Sequence, residues 1–154
     1  MRPILFLGIA LLGSAAQAQT MHLVCIGAGS ANKAAQGSIY SHNSYSGSSL
    51  TTVTGQRSEE FVDQIYVDID GTTGRIQMPP VMLPPIHGGK GGWMEIEKLA
   101  VSDREITGSV GVNFMNSPKL RIDRVSGILS IAGKAGNYAA QCSAYDPDKV
   151  KKAF

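Results

Sequence analysis

Apolar side chains recur at every second position through much of this chain, in short runs separated by turn residues. Glu105 to Phe114 sets Ile106, Val110, Val112 and Phe114 inward, and Lys119 to Arg124 does the same with Leu120 and Ile122. Phe61 to Ile69 places Phe61, Ile65, Val67 and Ile69 on one face, interrupted at Asp63. A period of two marks a strand with one buried face, because successive side chains leave a strand on opposite sides. Shorter runs at Met21–Ile26, Leu50–Thr54, Arg75–Met78, Trp93–Val101, Ile128–Ile131 and Tyr138–Ala144 extend the pattern. Residues 27–49, rich in Gly, Ser, Ala and Asn, read as loop with one short strand near Ile39 and Tyr40. Strands at this spacing predict an all-β fold, a single antiparallel sandwich or small barrel of about eight strands. A short C-terminal helix is expected as well. Asp146 can cap it, Pro147 suits its first position and Asp148 its positive end. Val150 and Phe154 would then face the sheet, with Lys149, Lys151 and Lys152 in solvent.

The first 18 residues, MRPILFLGIALLGSAAQA, have the parts of a secretory signal peptide. Arg2 gives a positive start, Ile4 to Leu12 an apolar stretch, and Ala16-Gln17-Ala18 a small-x-small cleavage site. The apolar run is well short of the roughly 20 residues a spanning helix needs, so no transmembrane segment is expected. Cleavage after Ala18 leaves a single β domain, 19–154, in the periplasm or secreted. The whole chain has 14 basic and 12 acidic side chains. Loss of Arg2 brings the mature charge to +1, which gives no electrostatic case for nucleic acid.

Export bears on the two cysteines. Cys25 and Cys142 lie near opposite ends of the mature chain. In an oxidising compartment an isolated pair is expected to form a disulfide, here tying the first strand to the last. His22-x-x-Cys25 has a metal-ligand spacing, but no second cluster answers it, and no metal is assigned.

Other motifs suggest chemistry without completing it. Leu23 to Asn32 resembles the strand and glycine turn of a dinucleotide-binding unit, yet Asn32 replaces the last glycine and no helix has room before Gly37. Asp68-x-Asp70-Gly71 starts like a calcium loop that then stops. Gly88-Gly89-Lys90-Gly91-Gly92 lacks phosphate-loop spacing, and no G-x-S-x-G elbow occurs. His22, His42 and His87 are isolated in sequence. No cofactor is expected and no residue is assigned a catalytic role. An outer-membrane barrel would fit the length, but the strands are short and the aromatics too few for two girdles.

Ile69 to Gly74 and Ile122 to Gly127 both read I-D-x-x-[ST]-G, and each is expected to be a hairpin turn. The second belongs to a wider pattern. Pro84-Pro85-Ile86-His87-Gly88-Gly89 before Trp93, Asp103-Arg104-Glu105-Ile106-Thr107-Gly108, Ile122 to Gly127 and Gln141-Cys142 follow one another between Gln77 and Asp146. This half of the chain resembles a group of small exported β-rich proteins of Gram-negative bacteria. The resemblance implies a periplasmic setting and no mechanism.

The stretch from Pro79 to Gly92 is long for a loop in a compact domain, and such loops commonly carry function. Pro79, Pro80, Pro84 and Pro85 stiffen it, Val81 to Leu83 and Ile86 make it apolar, and His87 and Lys90 lie among glycines beside the only tryptophan. Pro84, Pro85, Ile86, His87, Lys90 and Trp93 are therefore the candidate binding residues. The alternative is a plug over the open end of the sheet with Trp93 in the core. The functional expectation is a non-catalytic binding module for a protein or small ligand. A small-ligand carrier lined by Phe114, Ile122 and Tyr138, and a small hydrolase using one histidine, are the alternatives. The sequence assigns no oligomeric state.

Overall fold

A computed structural model describes residues 20–45 and 47–149. The expected leader, 1–18, and the end of the expected helix, 150–154, lie outside the described residues. Pro147 to Lys149, where that helix would begin, form a turn. Eight strands form one antiparallel sheet: β1 (Thr20–Asn43), β2 (Gly47–Asp70), β3 (Thr73–Gln77), β4 (Trp93–Val101), β5 (Glu105–Val110), β6 (Lys119–Asp123), β7 (Ile128–Gly133) and β8 (Gly136–Ala144). Each strand pairs with the next, and β8 pairs with β1, so the sheet closes on itself.

Alternation puts the apolar set inside. Leu23, Cys25, Ile65, Val67, Ile69, Ile76, Met94, Ile96, Ile106, Val110, Leu120, Ile122, Leu129, Ile131 and Tyr138 are buried together. Each such side chain contributes roughly 1.5–3 kcal/mol by leaving water. Outward positions on the same strands are mostly polar, as with Lys119, Arg121 and Asp123 on β6. That is apolar-in and polar-out, the reverse of the pattern in a membrane-embedded barrel. Among the described residues no helix is long and apolar enough to cross a membrane.

The seam between β1 and β8 explains the glycines that resembled a nucleotide-binding turn. Gly27 faces Ala140 across the seam, and a Cβ there would fall on the Ala139 carbonyl. Gly29 is equally close to β8. No helix follows; β1 simply continues. Directly beside them Cys25 and Cys142 are opposite each other, bonded, with Cα atoms 4.0 Å apart. The disulfide expected from sequence is present, and it fastens the closing seam.

The segment read as loop, 27–49, is instead strand. β1 and β2 form one hairpin in unbroken register, from Thr20 opposite Asp70 to Asn43 opposite Gly47. Only part of it belongs to the closed wall. β8 covers β1 from Leu23 to Ala31, and β3 covers β2 only from Val67 to Asp70. Past Ala31 and Glu59 the two strands pair only with each other, a two-stranded arm on the order of 40 Å long at the usual rise per residue. The described residues from 36 to 60 are exposed, and none from 34 to 56 carries a formal charge.

The two I-D-x-x-[ST]-G turns differ in construction. At β6–β7 the Asp123 carboxylate accepts the Val125 and Ser126 amides, and Gly127 takes φ 73°. At β2–β3 the positive φ falls on Gly71, Gly74 lies within β3, and Asp70 accepts the Thr20 hydroxyl. The echo is one sequence solution serving two geometries. On β4 the register against β5 slips between Glu97 and Ala100, a bulge at which Lys98 adopts φ 53°.

Candidate functional site

Strand direction sorts the loops between the two ends of the closed sheet. One end carries the arm, the β3–β4 connection (78–92), the β5–β6 connection (111–118) and the β7–β8 turn. The other carries the chain start, the short hairpins and Tyr145, whose amide donates to the His22 carbonyl. All the candidate binding residues fall on the arm-bearing end.

The 78–92 segment does two jobs in sequence. Its first half is a plug. Met78, Pro79 and Met82 are buried, a short 3-10 turn spans Pro80–Met82, and Val81 and Leu83 pack onto the core. Lys33 at the base of the arm reaches across it, its ammonium donating to the Val81 carbonyl at 2.6 Å. The second half turns outward: Pro84 is half-buried, while Pro85, Ile86, His87 and Lys90 are exposed. Trp93 is not in the core as the plug reading had it. It lies on the outer wall, half-buried, with the Arg75 guanidinium 4.6 Å above its ring.

The neighbouring β5–β6 connection joins the exposed half. The Gly88 amide donates to the Val112 carbonyl at 2.9 Å, and the Asn113 side-chain amide donates to the Ile86 carbonyl at 3.1 Å. Phe114, expected to face inward, is 95% exposed here, beside Met115 at 64% and across from Ile86 at 84%. The alternation that suggested otherwise holds only to Val112. The chain leaves the sheet after Val110 and reverses at Asn113–Asn116. A run that ends with its largest residue outside the sheet has no local signal to show it.

Two of the residues named for a carrier lie inside. Ile122 and Tyr138 are buried in the packed core, and the clefts found lie on the surface without either of them in their walls. Tyr138 is the one phenol inside. Its hydroxyl donates to the Asp63 carbonyl at 2.7 Å and lies 3.4 Å from that of Cys25. Phe61 stacks on its ring. Burial, with the Asp63 charge nearby, pushes its pKa up to about 12.

The three histidines stand in different places. His87 hydrogen-bonds its neighbour's carbonyl, and His42 meets Ser48 at 3.0 Å on the exposed arm. His22 belongs to a row of cross-strand partners, His22–Asp68–Arg75–Glu95, over four adjacent strands. Asp68 receives His22 at 2.8 Å and Arg75 at 2.7 Å. Burial works against the Asp68 carboxylate, but the bonds from His22 and Arg75 and the Arg75 charge hold its pKa below the usual carboxylate value. No serine lines that cleft, and both Asp68 oxygens are engaged. The row therefore acts as a clamp across strands. Among the described residues no three His, Cys, Asp or Glu side chains converge as a metal site.

Comparison of the chain with protein-family models, with curated proteins and with solved structures finds no match.

Proposed function

We propose that this protein is an exported, non-catalytic binding module that recognises a protein partner through the exposed loops at its arm-bearing end. The observation that carries this reading is the grouping of Ile86, Phe114 and Met115, exposed on two loops that are hydrogen-bonded to each other. Large apolar groups held out in water by a fixed backbone are costly unless something covers them, and such patches mark interaction surfaces. His87 and Lys90 at the rim would supply the polar border of such a contact. The filled interior favours surface recognition over carriage of a small molecule. The disulfide is consistent with an oxidising compartment. A periplasmic or secreted location, reached after cleavage behind Ala18, completes the proposal.

The test is differential capture from the native exported fraction. The triple variant Ile86→Ala, Phe114→Ala, Met115→Ala should lose at least about tenfold of a specifically enriched partner, because a few central apolar residues carry most interface energy. Val125→Ala, at the opposite end and 80% exposed, should lose nothing. Equal recovery with the triple variant would end the proposal.

A further inference from the structure

The arm leaves a long stretch of backbone unpaired. β2 has β1 along one side for its whole length, but β3 on the other only from Val67 to Asp70; just before that, Asp63 to Ile65 share a cleft with Gln77, Met78 and His87 and the Gln64 amide donates to the Asp63 carboxylate, so the open sheet edge runs over residues 47–62. Natural edges are blunted by proline, lysine, bulges or short length. This edge is long and has neither proline nor lysine. Two of its charges also lack an ion-pair partner among the described residues. Arg57 is directly opposite Lys33, a like charge, and neither Arg57 nor Glu59 makes an ion pair among the described residues.

We propose that the β2 edges of two copies of this chain pair antiparallel about a two-fold axis through Ser58, so that the protein is a dimer. The edge is self-complementary about that residue. Arg57 of each copy then faces Glu59 of the other, and the small Gly55 faces Phe61. Thr54 faces Val62, so the paired stretch fits within the open edge. No like charges meet in this register. Registers centred one residue to either side set Arg57 or Glu59 against its own copy. The pairing is isologous and closes at two copies, whereas β1-to-β2 pairing between copies would propagate into filaments. The loops at Ile86 and Phe114 are separate residues, so this inference stands apart from the proposed partner surface.

Sedimentation of the mature, oxidised chain over a wide concentration range should show a monomer–dimer equilibrium. Arg57→Glu should weaken dimerisation about tenfold or more, since two favourable cross-strand charge pairs become repulsive. The double variant Arg57→Glu, Glu59→Arg exchanges the charges and should restore wild-type dimerisation. Both positions are exposed, and circular dichroism should show the fold unchanged. Ser58→Cys should give a covalent dimer on mild oxidation, because residues opposite each other at such an axis have Cα atoms within disulfide reach. Ser48→Cys, ten positions from the axis, should not. A monomer at every concentration, filaments in place of dimers, no effect of Arg57→Glu, or no rescue by the double variant would overturn the inference. The Ile86, Phe114, Met115 triple variant should dimerise normally, which separates failure of this inference from failure of the partner surface.

Discussion

Removing one oxygen atom, by Tyr138→Phe, should change both stability and its pH dependence. The ring stays buried and stacked on Phe61, but the Asp63 carbonyl loses the hydroxyl that bonds it at 2.7 Å. Loss of one partner of a buried pair costs about 1–2 kcal/mol, so the variant should be less stable by that amount at pH 7. The pH signature follows from linkage. The phenol is held neutral in the folded state, with a pKa of about 12 against the ordinary 10.0. A group whose folded pKa is raised contributes fully below the unfolded pKa and loses its contribution as pH rises through the folded one. For a difference of about two units the loss is roughly 1 kcal/mol by pH 11 and approaches roughly 3 kcal/mol above pH 12. Urea unfolding of both proteins from pH 7 to 11 should therefore show the wild-type advantage shrinking to near zero. A gap that stays constant with pH, or a Tyr138 that ionises at the ordinary phenol value of 10.0, would refute the reasoning.

Replacing both Cys25 and Cys142 with Ala should cost up to roughly 5 kcal/mol on the chain-entropy estimate for a loop of this length, read from urea midpoints. Met82→Ala should cost about 2–5 kcal/mol by opening the plug, while Ile86→Ala, four residues further along the same loop but exposed, should stay within about 0.5 kcal/mol. Lys98→Gly should stabilise by about 1 kcal/mol, because only glycine takes φ 53° without Cβ strain; Lys98→Ala should bring no such gain. The Asp68 clamp contributes stability above the ordinary carboxylate range and loses it as pH falls through the lowered folded pKa. Acid unfolding should accordingly be less steep in Asp68→Asn, and an identical acid limb in both proteins would contradict the clamp.

The parts of the fold that could be read from sequence are those where burial writes a pattern. The inner end of β2, with β5 and β6, has one face in the core, and the alternation places Ile65, Val67, Ile69, Ile106, Val110, Leu120 and Ile122 correctly. Cys25 and Cys142 needed only the expectation that an isolated pair in an exported chain bonds, and the bond is present. The arm was not legible, because strands 32–43 and 47–58 bury nothing and so carry no apolar alternation. Their order comes from backbone pairing to each other, which side-chain pattern does not encode. Trp93 and Phe114 misled for a related reason. Size argued for the core, but Trp93 starts a strand on its outward side and Phe114 follows the point where β5 has ended. Of the candidate binding residues, Pro85, Ile86, His87 and Lys90 are exposed together, and the loop composition announced them. Phe114 and Met115 could not be added, since the two hydrogen bonds joining the loops connect residues 24 or more positions apart.

The most direct test of recognition at the arm-bearing end compares two exposed positions at opposite ends of the molecule. A photoreactive phenylalanine analogue at Phe114 and another at Val125 face water to a similar extent. Irradiated in the native exported fraction, the Phe114 position should cross-link a discrete partner and the Val125 position should not. Equal cross-linking from both, or a partner captured only through Val125, would contradict the account.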